Sequence, residues 1–433
     1  MMDEERPTFG PFFVYFGLLM KPQQTNSEFL ERKWVVVAFV NFGIAALMGI
    51  LLRSTALVDL PWLNFRHMTH AHSHAAMMGW LYMAIFALLM HFFLSEAERK
   101  KKKYQRTFIA LQIAVIGMMA SFPFQGYAAI SISFSALHLF SSYAFLTFIW
   151  RNAKSDNRQA IILLKTAIVL MMFSTLGVYA LGPVTAKIGR LTDAYHLCIQ
   201  FFLHFQFQGW FVFAIAALLM QQLSKSGIAM KQIQFRAFHL LLIIAVLGMV
   251  ALPTAQYLHL PELLPLNTVG TLAQLIAVVL LLHFLFPFRK TFQNQPHWVR
   301  VCAWIALISA LLKAVGQAAL SWPEIALVPL NIRPMVIGFI HLLMLGMITS
   351  YLLMVLLQSN VLDASKRAFQ SGVLFLFSGI IITELLLFTQ GISIRTGFGA
   401  WSLYSEVLFA GSALLVIGVF GLLAAIISNP KTQ

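Results

Sequence analysis

Polar residues in this chain fall into short clusters separated by long apolar runs, and the runs recur at a length near that of a membrane span. A helix rising 1.5 Å per residue needs about 20 residues to cross a hydrocarbon layer of roughly 30 Å. Twelve such runs are predicted, near residues 34–52, 70–94, 107–123, 127–149, 160–181, 193–222, 235–252, 264–286, 299–319, 334–358, 369–390 and 404–428. Helices are expected because the runs lack the apolar–polar alternation of a barrel strand, and a hydrocarbon core offers backbone amides no water. The expected fold is therefore all-α and polytopic: one twelve-helix transmembrane domain over 34–428, preceded by a cytoplasmic or interfacial lead-in over 1–33. Loops are short and none is Ser/Gly-rich or of domain size. No internal repeat is evident, and the Leu223–Gln234 link is no longer than its neighbours, so a two-halved transporter plan is not indicated.

Composition agrees: 60% of the 433 residues are hydrophobic and 10% charged, with a mean hydropathy of +0.81. No soluble globular protein has that balance. The formal net charge of +15 could suggest nucleic acid, but its distribution excludes that partner. Arg32 and Lys33, the run from Glu98 to Arg106, Arg151, Lys154 and Arg158, Lys225, Lys231 and Arg236, Arg289, Lys290 and Arg300, and Lys366 with Arg367 occupy alternate loops. The positive-inside rule then puts both termini in the cytoplasm, which matches an even number of spans. Residues 11–20 are apolar but too short, and too acidic at their start, for a cleavable signal. Cys198 and Cys302 lie in predicted helices at different depths and suggest neither a disulfide nor a thiolate metal site.

Histidines break the apolar pattern. The second helix opens HMTHAHSHAAMMGW from His67 to Trp80; the fourth carries His138, the sixth His196 and His204, and the tenth His341. These four helices enter from the external side, so His72, His74, His138, His204 and His341 reach overlapping depths. A polar group in hydrocarbon costs several kcal/mol unless partnered, so such side chains are expected to point inward and to carry function. His72 and His74 point to nearly opposite faces. His72 shares its face with Ala76 and Gly79, small enough for a flat macrocycle to approach, and is favoured as a ligand with His74 the alternative. His67 and His70 are placed in the headgroup zone. His196, Gln200, His204 and Gln208 form a stripe on the sixth helix, readable as an interhelical seam or as a ligand with supporting amides. Ser131, Ser135, His138 and Ser142 form a similar stripe. Lys313 and Glu384, both in the outer part of their spans, are expected to neutralise each other or to serve a proton path.

Imidazole is a common ligand of haem iron and of copper, and two histidines on separate helices can clamp a haem from both faces. The haem propionates would need cations near the external surface, where Arg333 and Arg395 stand among few others. The segments HAHSHAAMMGW, GYAAISISFS and LHFQFQGWF, in a twelve-helix chain with histidines in helices two, six and ten, resemble the catalytic subunit I of the haem–copper oxidase superfamily, in a divergent form. That resemblance covers nearly the whole chain in architecture, but its motifs are short. It implies a low-spin haem on His72 and His341 and a copper ligand at His204. The family also takes two copper-binding histidines from the seventh helix, where this chain reads AVLGMVALP, usually has a second histidine in the tenth, and often a tyrosine after the sixth-helix histidine; none is present here. The NnrS family of haem-and-copper membrane proteins, linked to nitric oxide stress, is a similar neighbour. The expected function is thus electron transfer or oxidoreductase chemistry in the bacterial inner membrane, through a bis-histidine haem and with a partner redox subunit or cytochrome. His204 with His138 or His196 would form a second site for copper or a small gas. Two other readings stay open: a haem or copper protein that handles nitric oxide or metal without turnover, and a proton-coupled transporter without a cofactor.

Overall fold

The computed structural model describes residues 32–326 and 332–428; most of the predicted lead-in lies outside them. Twelve of its helices are long and apolar enough to cross a membrane: α1 Arg32–Ser54, α2 Phe65–Phe93, α3 Lys102–Gln125, α4 Ala129–Asn152, α5 Arg158–Lys187, α6 Asp193–Lys225, α7 Gln232–Leu258, α8 Pro261–Gln293, α9 His297–Ala319, α10 Arg333–Gln358, α11 Arg367–Arg395 and α12 Tyr404–Ile427. No strand occurs among the described residues. The predicted spans are all present and most are extended by several residues, because polar caps lengthen a helix beyond its apolar run. Asn64 accepts the His67 amide at 3.0 Å to start α2, Thr192 accepts that of Tyr195 at 3.3 Å to start α6, and Pro334 occupies the first turn of α10, where its missing N–H costs nothing.

The helices pack as three consecutive arcs of four. In one, α11 lies on α12, α12 on α1 and α1 on α2; in the next, α3, α4, α5 and α6 follow in order; in the third, α7, α8, α9 and α10 do. The last helix of each arc lines the centre. In α2, α6 and α10, 78%, 61% and 72% of the most apolar stretch is buried, against 50% or less in every other span.

These three helices share a local irregularity. Each turns π-helical, over Ala75–Tyr82, Phe205–Phe211 and Leu342–Thr349, immediately after a histidine. The sequences align without a gap: HAAMMGWLYMAIFALLM from His74, HFQFQGWFVFAIAALLM from His204 and HLLMLGMITSYLLMVLL from His341. This is the internal repeat that the linear reading did not find. The glycine five residues after each histidine admits a neighbour. A Cβ at Gly79 would stand 2.9 Å from Asn41 Cβ of α1, one at Gly209 2.9 Å from Leu170 Cβ of α5, and one at Gly346 2.6 Å from Ser309 Oγ of α9. Widening the helix disturbs the regular backbone ladder, and side chains attend to the wide turn. Asn41 Nδ2 donates to the Gly79 carbonyl at 3.0 Å, and Thr349 Oγ1 donates to the Met344 carbonyl five residues back at 2.8 Å. Thr349 also accepts the Trp80 indole N–H at 2.9 Å, tying α10 to α2 at the centre.

Candidate functional site

The repeated histidines face three different compartments. His341 Nδ1, on α10, lies 3.9 Å from Glu384 Oε1 of α11. It has no hydrogen-bond partner, and neither has either Glu384 oxygen, although all three atoms are buried. His72, on α2, donates its Nδ1–H to the Ala45 carbonyl of α1 at 2.8 Å. The carbonyl can only accept, so the ring is the Nδ1–H tautomer and Nε2 is left as the bare nitrogen. The ring also covers Gly49, where a Cβ would stand 3.0 Å from His72 Cε1. His72 and His341 lie in electrostatic reach of each other, and Arg53, in the last turn of α1, reaches His72, His341 and Glu384. Both histidines sit about 10–12 Å along their helices from the entering end, at 1.5 Å per residue.

His72 is an addition to the repeat. The residues two before the other repeated histidines are Phe202 and Phe339, so the other two repeats carry no imidazole at that position. At its rim the exposed Arg333 guanidinium lies over the Phe65 ring, 4.7 Å from the centroid. Arg395 ends α11 and is exposed. Arg53 was missed by sequence reasoning because it falls one residue past the predicted apolar run, where it reads as an ordinary helix-end charge. Its signal was that the α1–α2 loop has few other basic residues.

The second compartment belongs to His204. Its Nε2–H donates to the Val246 carbonyl of α7 at 2.7 Å, and Lys313 of α9 lies near it. Lys313 does not pair with Glu384: its Nζ donates to Gln208 Oε1 at 2.7 Å and Gln317 Oε1 at 2.6 Å. The expectation that the two charges neutralise each other is therefore replaced by two separate environments.

The third compartment holds His74, whose Nδ1–H donates to the His70 carbonyl at 2.8 Å. Its Nε2 stands 3.4 Å from the Tyr127 hydroxyl. His138 lies near it, edge-on to Tyr82 with ring centroids 5.1 Å apart, 3.4 Å from Ser142 Oγ through Nδ1, and with Nε2 buried and unpartnered. His196 is exposed and stacks on Tyr257. His204, His138 and His196, grouped as a second metal site in the sequence, thus have different partners. No three His, Cys, Asp or Glu side chains among the described residues gather as a metal-binding set.

The chain matches no protein-family model and no curated protein.

Proposed function

We propose that this chain is an integral membrane haem protein of the bacterial inner membrane, oxidase-like in its bundle, that transfers electrons through a haem held by His72 and His341. The observation that carries the reading is a pair of imidazoles on separate helices within electrostatic reach of each other, His72 with Nδ1 on the Ala45 carbonyl and His341 with Nδ1 3.9 Å from Glu384 Oε1. A haem iron takes four ligands from its macrocycle, so two protein nitrogens complete it, and no cluster of three or more protein donors is needed. The donor set fits: the Ala45 carbonyl fixes the His72 tautomer, and Glu384 Oε1 is the acceptor nearest the unsatisfied His341 Nδ1. Such acceptors raise imidazole basicity and hold the ring in orientation. Gly49 and Ala45 keep the α1 side of His72 low, and Arg53 and Arg333 supply cations toward the rim for propionates.

When bound, the haem supplies a one-electron redox couple. The protein's own part is to orient both nitrogens, to exclude water with the apolar walls, and to offset propionate charge. With both His72 and His341 holding it, the haem would supply electron transfer to a partner subunit or cytochrome rather than oxygen reduction. Copper at His204 would require the ring to leave Val246 or to bind through Nδ1.

The test is the optical spectrum of the purified protein. A Soret band with the reduced bands of a six-coordinate haem is expected, and His72→Ala and His341→Ala should each convert or abolish it, whereas His297→Ala should not. Haem-free, colourless protein would overturn the reading. It would favour proton-coupled transport, which the buried Glu384 carboxyl, without a hydrogen-bond partner among the described residues, suits.

A further inference from the structure

Lys313 presents a problem the haem reading does not use. It is 3% exposed, yet its only hydrogen-bond partners among the described residues are two neutral amide oxygens, Gln208 Oε1 and Gln317 Oε1. His204, within electrostatic reach, is a further nitrogen base and no counter-ion. Both amide contacts accept, which suits an ammonium with three donors better than an amine, whose lone pair would need a donor. Burying a charge without a counter-charge costs several kcal/mol.

A cavity lies beside it. About 120 Å³ of partly open space between α6 and α10 is lined by Lys313, Gln208, Gln274 and Tyr351 among apolar side chains. That volume admits several waters or one small ion. Gln274, which also lines the space, is 7% exposed and its side-chain oxygen has no partner among the described residues, so its amide is free to reorient toward a ligand. Tyr351 is already engaged, donating to Gln222 Oε1 at 2.6 Å. The cavity therefore has one cation, adaptable amides, apolar walls and no acidic side chain.

We infer that the Lys313 cavity binds a small monovalent anion, a halide or an oxyanion of three or four heavy atoms, with Lys313 Nζ as the charged contact and Gln208 and Gln274 as amide contacts. The inference is independent of the haem assignment, because the cavity lies in the compartment of His204 and shares no residue with that of His72 and His341.

The test uses the full-length protein in detergent, purified in gluconate, and titrated separately with chloride, nitrite, nitrate, formate and sulfate. Melting temperature and calorimetric heat are followed together. At least one monovalent anion should bind saturably and raise the melting temperature with its concentration, while the larger, doubly charged sulfate should not. Lys313→Met should weaken that binding at least tenfold. Should that variant fail to fold, Gln317→Glu decides: it places a carboxylate on Nζ, and it should melt in gluconate at least as high as the anion-saturated parent while losing the anion response. No saturable response from the parent to any monovalent anion, or a parent-like response from Gln317→Glu, would overturn the inference. Anions binding at an iron centre would survive both substitutions and are thereby separated from binding here.

Discussion

At the scale of single residues, the bundle is organised by which nitrogen of each imidazole is spent on the protein. His72 and His74 both use Nδ1 on a carbonyl, His204 uses Nε2, and His341 uses neither. His341 is therefore the ring most dependent on a neighbour, and Glu384 is that neighbour. Glu384→Gln keeps an acceptor oxygen and is expected to retain haem, whereas Glu384→Leu is expected to reduce haem affinity by about 10- to 100-fold, the range typical of losing a group that supports a metal ligand. The haem-to-protein ratio during dilution measures it, and equal retention by the two variants would remove the assigned role. A second residue-scale prediction concerns Trp80. Thr349→Val takes away the hydroxyl that accepts its buried indole N–H, and should cost about 1–3 kcal/mol in reversible unfolding.

At the scale of elements, the π-helical turns and the glycines within them form one device. The glycine five residues after each repeated histidine brings the central helix against its outer neighbour, so a side chain there must displace packed atoms. Gly79→Val and Gly346→Val are each expected to destabilise by at least about 1–3 kcal/mol, the usual cost of overpacking. Gly182 in α5 is the control: a Cβ there meets nothing within 4 Å, and Gly182→Ala should be neutral or stabilise by up to about 1 kcal/mol, as helix propensity predicts. Thermal unfolding of the three variants side by side would show whether position in the repeat decides the sign.

The α2–α3 connection makes another element-scale prediction. Partial burial pushes the Glu98 carboxyl up, but hydrogen bonds from Lys101, Lys103 and Tyr104 outweigh this and hold it down at about 2. Because the folded value lies below the ordinary carboxylate value, the stabilisation is complete above about pH 4.5. It is lost as pH falls toward 2. Hydrogen exchange across 95–104 should rise over that window, and Glu98→Gln should flatten the rise.

At the scale of the whole molecule, three arcs of four helices place α2, α6 and α10 at the centre and give each repeated histidine a compartment of its own. The surroundings have diverged: His341 lies by Glu384 within electrostatic reach of His72 and Arg53, His204 lies by Lys313 and its cavity, and His74 lies by His138 and Tyr127. The distribution of basic loops predicts that the α2–α3 connection is cytoplasmic and the α5–α6 connection external. With Cys198 and Cys302 replaced, a cysteine at Lys101 should label only from the cytoplasmic side and one at Leu191, 92% exposed, only from the other. Labelling of both from one side would refute the twelve-span topology.

Twelve spans, their order and the histidine-bearing helices were all legible along the chain, because hydropathy and helix length are properties of consecutive residues. So was the place of each histidine along its helix, since that follows from counting residues. The threefold recurrence was also written there, but as a histidine, a glycine five residues on and an apolar tail, too sparse to stand out among similar runs. What only the tertiary structure decided is company. His72 bonds to Ala45 of α1 within electrostatic reach of Arg53 and His341, Lys313 meets two amides in place of Glu384, and His138 sits with His74 and Tyr82 apart from His196, because neighbours across a bundle are set by the rotation and packing of helices far apart in the chain.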